Sequence, residues 1–377
     1  MDFTPLTRFI DSLEGIGIPG CDIIVKREHE TLYRHMSGWR DREAALPMRG
    51  DELYMMYSVT KPVTCAAALQ LVERGQMLLS EPVAQYLPEF ERVQVREPNG
   101  AVHEARQTML IRHLFSMTAG FDYELDTPSV RKALSEKGDA CATRDIVRAI
   151  ASQPLAFEPG THWQYSLCHD VLACLVEVVS GQRFCDYVRD NIFLPLGMER
   201  STFHLPASRS GEMAAQYNFN DQTNEADRVP STNHLLPCPL YDSGGAGLIS
   251  SVEDYSLFAD ALACGGVSDR GTRVLTAATV DLMRENQLDA ALMKDFDWPH
   301  MAGYGYGLGV RTMVSRGQGG ALSPTGEFGW GGAAGAYLLI DPENRLSVFY
   351  AQHMLNNKEP YVHPRIRNIV YSILGRD

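Results

Sequence analysis

Strand-forming segments lie near both ends of this chain, and helix-forming segments fill the middle. Near the start, Cys21–Lys26 and Thr31–Trp39 flank the turn 27–30 and predict a β-hairpin. Near the end, Gly335–Ile340 and Leu346–Gln352 flank the turn 341–344 in the same way. Strands at both ends with helices between them predict an α+β fold class that a mainly helical segment interrupts.

The helices predicted by apolar periodicity lie at both ends and throughout the middle of the chain. They are residues 4–16, Ser58–Arg74, Ile111–Met117, Arg144–Ser152, Leu167–Ser180, Phe184–Phe193, Val252–Leu262 and Tyr361–Leu374. Residues 205–245 are loop-rich, and the glycine-alternating segment Gly303–Val310 predicts a further strand. We expect one catalytic unit over 1–377, with residues 1–82 and 245–377 forming an α/β subdomain and residues 83–244 a mainly helical one. A cleft between the two is the expected place for an active site.

The composition excludes some classes of function. Lys and Arg number 34 against 47 Asp and Glu, a net charge of −13, which argues against nonspecific binding to nucleic acid or anionic membranes. No run of about twenty apolar residues predicts a membrane span, and the first residues do not resemble a signal peptide. The eight cysteines include no Cys-x-x-Cys pair and no zinc-type spacing with histidine. Free thiols in a cytoplasmic protein without a metal are therefore expected.

The segment Ser58-Val59-Thr60-Lys61 places a hydroxyl and an amine three residues apart at the expected start of an apolar helix. Residues at i and i+3 share one helix face, so the amine can reach the hydroxyl. A serine at a helix start also has a backbone N–H and the positive end of the helix beside it, both useful to a developing oxyanion. A lysine in a buried helix needs a partner or a lowered pKa.

The same pattern occurs a second time, as Ser129-Val130-Arg131-Lys132, within a charged segment. Here the simpler interpretation is a serine that caps the N-terminus of a solvent-exposed helix. The motif alone therefore does not identify a nucleophile, and other parts of the chain must supply its partners.

Two further segments are candidates for those partners. Tyr165 ends a loop that follows the turn Pro159-Gly160 and leads into an apolar helix, so its hydroxyl can reach a cleft. The segment Trp330-Gly331-Gly332-Ala333 comes directly before a predicted strand, where glycines let another backbone approach closely. Each of these, taken alone, also fits a packing role.

The histidines offer a weaker route to a base. No Gly-x-Ser-x-Gly sequence occurs in the chain. His113, His162 and His169 lie in contexts more typical of structural or exposed residues than of a catalytic base.

Three segments, taken in chain order, resemble the three motifs of the serine β-lactamase and penicillin-binding-protein superfamily. They are Ser58-Val59-Thr60-Lys61, Tyr165-Ser166-Leu167 and Trp330-Gly331-Gly332. The resemblance is closest to its class C-like branch, and within it to the family VIII carboxylesterases. It extends over nearly the whole chain through other similar stretches, which are 111–120, 157–160, 195–198, 243–248 and 304–309. It implies a β-lactamase-like antiparallel sheet flanked by helices, with the helical subdomain inserted, and it selects Ser58 over Ser129.

Two departures from the class C pattern bear on the substrate. The second motif usually reads Tyr-x-Asn, but its third position here is Leu167, so an amide is missing. The third motif usually carries a cation and a hydroxyl, whereas Trp330-Gly331-Gly332 has neither. A β-lactam carries a carboxylate that a nearby cation would bind. An apolar Trp330 wall suits an uncharged acyl or alcohol group instead, and the expected substrate is a small-molecule ester.

The resemblance implies a mechanism that needs no metal or organic cofactor. Ser58 forms an acyl-enzyme, Lys61 and Tyr165 share the proton transfer, and the backbone N–H groups of Ser58 and Ala333 form the oxyanion hole. Trp330, Gly331 and Gly332 contribute to substrate binding. The sequence leaves open which of Lys61 and Tyr165 is the base.

The alternatives that remain are of two kinds. One is a β-lactamase, a D-amino-acid peptidase or an acyltransferase that uses the same site. The other is a catalytically inactive binding or sensing protein of this fold. Tyr241 and Trp298, in the loops 205–245 and 285–302, are candidates to line the pocket, although packing roles fit them equally well. The oligomeric state is not predicted.

Overall fold

The computed structural model describes residues 1–375, and the α+β class is confirmed. Its strands, in chain order, are β1 (Gly20–Arg27), β2 (Glu30–Asp41), β3 (Leu46–Pro47), β4 (Tyr54–Met55), β5 (Gln94–Arg96), β6 (Val102–Glu104), β7 (Gln216–Asn220), β8 (Glu225–Val229), β9 (Ile249–Ser250), β10 (Tyr304–Tyr306), β11 (Arg311–Met313), β12 (Phe328–Gly329), β13 (Tyr337–Asp341), β14 (Leu346–Gln352) and β15 (Met354–Leu355).

The helices of the described residues are mostly short. They are α1 (Thr4–Asp11), α2 (Thr60–Glu73), α3 (Ile111–Phe115), α4 (Pro128–Lys137), α5 (Thr143–Ala151), α6 (Cys168–Ser180), α7 (Phe184–Val188), α8 (Leu194–Leu196), α9 (Val252–Ala263), α10 (Ala277–Arg284), α11 (Arg316–Gly319) and α12 (Glu359–Leu374). No helix within this part of the chain combines the length and the apolar content needed to cross a bilayer.

One large antiparallel sheet organises the fold, with the strand order β10-β11-β12-β13-β14-β1-β2-β3. Both predicted hairpins are confirmed, and they lie side by side because β1 pairs with β14 from Cys21↔Gln352 to Arg27↔Leu346. The eight strands come from residues 20–47 and 304–352, so the chain between them adds no strand to this sheet. The subdomain boundaries expected from the sequence stay a prediction.

Both faces of the sheet are buried at β1, and successive residues of this strand therefore enter different cores. Ile23 and Val25 pack in the core that contains residues of α1 and α12, whereas Ile24 faces the core that contains α2 and α9. On that second face, the ring of Tyr255 from α9 stacks on Phe349 of β14, with ring centroids 4.2 Å apart. The sheet is thus flanked by helices on both sides, as the sequence predicts.

Several predicted boundaries differ from the structure, each for a local reason. The segment 4–16 is an α-helix only to Asp11 and then a 3₁₀-helix that ends at Gly17, which has a φ of 92°. The segment Gly303–Val310 does not form one strand, because the chain turns between β10 and β11. The loop-rich region 205–245 contains the hairpin β7–β8. The strand predicted at Gly335–Ile340 begins at Tyr337 instead, and Gly335 has a φ of 92°.

The central helix α2 is buried around its whole circumference from Thr60 to Leu71, as its apolar sequence predicts. It packs against α6 and carries small residues such as Ala66, Ala67 and Ala68 at full burial. A helix enclosed in this way is held by close packing, since interiors are as dense as organic crystals.

This packing gives a first prediction. Leu69→Ala should lower the free energy of unfolding by about 2–5 kcal/mol, because it leaves a cavity at a fully buried position. The matched control is Leu78→Ala, where the side chain is 50% exposed and the expected loss is below about 1 kcal/mol. Urea unfolding of both variants measures the difference, and equal losses would contradict the packing described for α2.

Candidate active site

Ser58 lies in a 3₁₀ turn, Tyr57–Val59, that leads directly into α2. The preceding Tyr57 has a φ of 47°, a left-handed conformation that costs a non-glycine residue about 1–2 kcal/mol. Its neighbours hold it there: the hydroxyl accepts a hydrogen bond from Gln216 Nε2 at 2.6 Å, and its carbonyl accepts one from Thr60 Oγ1 at 2.6 Å. The turn that presents Ser58 is therefore fixed by one contact from the start of α2 and one from Gln216 of β7.

The ammonium group of Lys61 is fully buried, and each of its three N–H groups has an acceptor. Nζ donates to Ser58 Oγ at 3.3 Å, to Tyr123 Oη at 3.0 Å and to the carbonyl of Gly245 at 2.8 Å. It also lies 4.6 Å from the ring centroid of Tyr165. Burial alone would lower the pKa of Lys61, but the facing phenols of Tyr123 and Tyr165 outweigh it and raise this pKa above its usual value. Lys61 is thus held as a cation beside Ser58.

Tyr123 is a member of this cluster that the sequence did not predict. Its ring stacks on that of Tyr165, with centroids 5.3 Å apart and planes 16° from parallel. Burial raises the pKa of Tyr123 to about 12, although the Lys61 ammonium opposes this effect. The only signal in the sequence is its place in the loop after α3, close behind Gly120, which is too common a context to single it out.

Tyr165 stands between Lys61 and an aromatic wall. Its hydroxyl accepts a hydrogen bond from Trp330 Nε1 at 3.2 Å. The ring centroids of Trp330 and Trp298 lie 5.5 and 5.6 Å from that of Tyr165. The Tyr165 ring therefore connects the polar cluster around Lys61 to an apolar surface.

The glycines after Trp330 let the chain pass very close to the turn that carries Ser58. A Cβ on Gly332 would lie 2.5 Å from the carbonyl oxygen of Met56, so only glycine fits there. The N–H of Gly332 donates to Ala336 at 2.8 Å, and Asn357 Nδ2 donates to the carbonyl of Ala333 at 2.8 Å. These contacts fix the backbone at Ala333.

A cavity of about 320 Å³ lies in front of these groups. It is mainly apolar and is lined by Ser58, Tyr165, Trp298, Pro299, His300, Met301, Trp330, Gly331, Gly332, Ala333 and Glu359. Six of these residues were site candidates in the sequence, whereas Lys61 lies behind Ser58 and does not line the cavity. Of the two residues expected to line the pocket, Trp298 lines the cavity and Tyr241 is buried elsewhere. No residue of 205–245 lines the cavity.

Tyr241 instead belongs to a network around Asp170, a buried carboxylate in the first turn of α6. Asp170 Oδ1 accepts hydrogen bonds from Tyr241 Oη at 2.8 Å, Ser243 Oγ at 2.6 Å and the N–H of Gly245 at 3.4 Å. Since the carbonyl of Gly245 is an acceptor for Lys61, Asp170 positions part of the cluster around that ammonium.

The histidines considered in the sequence have structural contacts. His113 Nδ1 accepts a hydrogen bond from the N–H of Leu110 at 3.2 Å, and burial lowers the pKa of His113 to about 4. His162 lies 3.1 Å from Asp295, and burial lowers the pKa of His169 to about 3. None of the three lines the cavity.

The second Ser-x-x-Lys segment has a different surrounding from the first. The prediction that Ser129 caps α4 is wrong: the side chain of Thr127 accepts from Val130 N, because the helix begins at Pro128. Ser129 Oγ donates to the carbonyl of Ala149 at 2.9 Å, and the Lys132 side chain is 74% exposed beside Glu136.

Two groups of metal-ligand side chains occur within residues 1–375, and neither lines the cavity. They are His29, Asp260 and Cys264, and Cys185, His204 and Asp242. In the first group Asp260 already pairs with His29 at 2.8 Å, and in the second Asp242 pairs with Arg183 at 2.7 Å.

The Asp170 network gives a second prediction. Asp170→Asn should lower the free energy of unfolding by about 1–3 kcal/mol, because an amide N–H₂ replaces an oxygen among buried donors. The control is Asp269→Asn, at an exposed turn position, which should change it by less than about 0.5 kcal/mol. Urea unfolding compares the two, and an unchanged stability for Asp170→Asn would contradict the role assigned to this carboxylate.

Comparison with known proteins places this chain in a wider group. Residues 6–370 match the sequence profile of the Beta-lactamase family. Esterase EstB of Burkholderia gladioli is 31% identical over 364 residues, which cover 90% of this chain and 87% of that protein. Protein Rv1367c of Mycobacterium tuberculosis is 29% identical and covers 88% of this chain and 85% of its own length.

Solved structures share the fold at lower sequence identity. EstCE1, described as a hydrolase with promiscuous acyltransferase activity, superposes with a TM-score of 0.81 at 24% identity and covers 98% of both chains. The unliganded selenomethionyl form of simvastatin synthase LovD from Aspergillus terreus gives a TM-score of 0.82 at 22% identity over 100% of both chains.

Proposed function

Because the chain belongs to the Beta-lactamase family and is a serine hydrolase, we propose that it cleaves carboxylic esters of small molecules through an acyl-enzyme on Ser58. The observation that carries this proposal is the cavity in front of Ser58, whose lining within residues 1–375 includes tryptophans but no Lys or Arg. Such a pocket suits the apolar part of an ester and offers no cation to a β-lactam carboxylate. The proposal places the chain near the family VIII carboxylesterases.

In the proposed mechanism, Ser58 Oγ attacks the ester carbonyl while its proton passes to the pair formed by Lys61 and Tyr165, which enters the step one proton short of its fully protonated form. The same proton then goes to the leaving alcohol, and the acyl group stays on Ser58. Water repeats the sequence on the acyl-enzyme and releases the acid. Lys61 and Tyr165 act as a coupled pair, since the ammonium lies against the face of the tyrosine ring.

The oxyanion hole of this proposal consists of the backbone N–H groups of Ser58 and Ala333. Its support is the close passage of Gly332 against Met56, two residues before Ser58. Fixed backbone donors of this kind are worth about 2.7–4 kcal/mol of transition-state stabilisation each. Trp330, Gly331 and Gly332 form the adjoining wall of the binding pocket.

The identity of the nucleophile gives a third prediction. Ser58→Ala should lose hydrolysis of p-nitrophenyl butyrate, by a factor of about 10⁴ or more, because no other nucleophile replaces the serine. Ser129→Ala, in the second Ser-x-x-Lys segment, should retain wild-type kcat/KM. Initial rates and mass spectrometry of protein labelled with a fluorophosphonate check both variants, and full activity in Ser58→Ala would exclude the proposal.

The shared proton transfer gives a fourth prediction. Lys61→Ala and Tyr165→Phe should each lower kcat by about 10²–10⁴-fold, the usual range for general acid–base groups. The double variant should lose far less than the product of the two, because the residues act as a unit. Thermal unfolding controls for loss of fold, and strictly multiplicative losses would contradict the coupling.

The alternatives act through the same serine and are separated by their substrates. A β-lactamase or D-amino-acid peptidase would turn over nitrocefin, or a D-amino-acid amide, as efficiently as p-nitrophenyl butyrate. An acyltransferase would give a new ester or amide when an alcohol or amine acceptor competes with water. An inactive binding protein would take no label from the fluorophosphonate at Ser58.

A further inference from the structure

Glu359 places a carboxylate inside the same cavity as Ser58. It is the first residue of α12, and its side chain is 22% exposed. A Cβ added to Gly331 would lie 2.7 Å from Glu359 Oε1, so this oxygen is next to the glycine segment on the cavity wall. Glu359 and Ser58 both line the cavity of about 320 Å³.

The carboxylate has imidazoles beside it but no Lys or Arg within ion-pair distance. Oε1 lies 3.5 Å from His363 Nδ1 and 3.8 Å from His300 Nε2, and no Lys or Arg among residues 1–375 forms an ion pair with this carboxylate. The nearby guanidinium of Arg311 is engaged by Glu327 and by the carbonyl of Leu338. A carboxylate that no Lys or Arg neutralises by direct contact therefore lines the cavity.

The protonation states favour a negative charge on Glu359. Burial raises its pKa, but His363, His300 and Arg311 outweigh burial and lower this pKa below its usual value. Burial lowers the pKa of His300, so this imidazole opposes the carboxylate with less positive charge than an exposed histidine would.

Aromatic rings line other parts of the same cavity. Trp298 and Trp330 have ring centroids 6.3 Å apart, and Trp298 stacks on His300 at 5.9 Å. Tyr165 completes the set at 5.6 Å from Trp298. Tryptophan and tyrosine faces attract organic cations, most strongly when water is excluded. A carboxylate combined with such faces is the chemistry that recognises an ammonium group.

We propose that this cavity is a subsite for a protonated or quaternary ammonium group of the substrate, with Glu359 as its counter-ion and Trp298 and Trp330 as its aromatic faces. The substrate class is then an amine-bearing ester. This inference rests on the proposed function for the reaction, but recognition of the cation can be measured without any turnover.

A purely structural role for Glu359 makes a different prediction. A carboxylate in the first turn of a helix stabilises it through the helix dipole. Its removal would then change stability and leave the preference among ligands as it was. Only a binding subsite would make the preference for a cationic ligand depend on Glu359.

The test uses esters that differ only in charge and compares their binding to Ser58→Ala protein, which cannot form an acyl-enzyme. Butyrylcholine is compared with 3,3-dimethylbutyl butyrate, in which a carbon replaces the nitrogen. Methyl 4-(trimethylammonio)butyrate and methyl 5,5-dimethylhexanoate form the second pair, with the cation in the acyl part. Trp298 and Trp330 line the cavity, so tryptophan fluorescence reports binding.

We expect the cationic ester of at least one pair to bind about tenfold or more tightly than its neutral partner. Adding Glu359→Gln should reduce that preference to about threefold or less, whereas adding Glu343→Gln, an exposed glutamate in the turn before β14, should leave it intact. Equal binding within both pairs would overturn the subsite, as would a preference that survives Glu359→Gln in protein that unfolds at the wild-type temperature. If Glu359→Gln does not fold, the two pairs in the Ser58→Ala background decide the question alone.

Hydrolysis of p-nitrophenyl butyrate by the wild-type protein is measured in parallel. If no hydrolysis is measured, the esterase proposal is contradicted, but the measured preference for the cationic ester is unaffected. Conversely, good hydrolysis with no preference for the cation would contradict the subsite alone.

Discussion

The buried ammonium of Lys61 is the constraint on which the site depends. Transferring an unpaired charge into a protein interior costs several kcal/mol, and here three acceptors and two aromatic rings offset that cost. The acceptors come from three separate places in the chain: the turn before α2, the loop after α3 and the segment that ends at Gly245. Satisfying one cation thus brings these segments together, and Asp170 holds the last of them in place.

Ser58 lies at the boundary between two different environments. Behind it are the Lys61 ammonium and the phenols, which can carry charge and protons. In front of it is a cavity walled by tryptophan, with the carboxylate of Glu359 on the same wall as Gly331. A cation behind Ser58 and an anion in the cavity place charges of opposite sign on the two sides of this serine. One fold can support different substrates through differences in such a cavity.

The close approach of two backbone segments, at Gly332 and Met56, is a second constraint on the site. Gly332 passes so close to Met56 that any side chain would collide with its carbonyl, and the left-handed Tyr57 turns the chain between Met56 and Ser58. Contacts from Gln216, Thr60 and Asn357 hold these two segments. Because protein interiors are densely packed, such a close approach persists only where several surrounding contacts hold both segments in place.

The sequence by itself determined the features that depend on local order. The i, i+3 spacing brings Lys61 to Ser58, alternation and turn residues give both hairpins, and an uninterrupted apolar helix is buried all round. The ordered motifs also gave the fold class, and six of the seven candidate residues line the cavity. The capping residue of α4 was missed because Thr127 and Ser129 both suit a cap, and only the start at Pro128 decides between them.

Only the tertiary structure decided which distant residues meet. Tyr123, Asp170 and Glu359 lie in ordinary local contexts, and nothing in their neighbours along the chain predicts a place beside Lys61, Gly245 or Gly331. The same holds for Trp298, which lines the cavity, and Tyr241, which does not. Their roles come from contacts between segments far apart in sequence, and such contacts follow from how whole helices and strands pack, not from the spacing of residues within them.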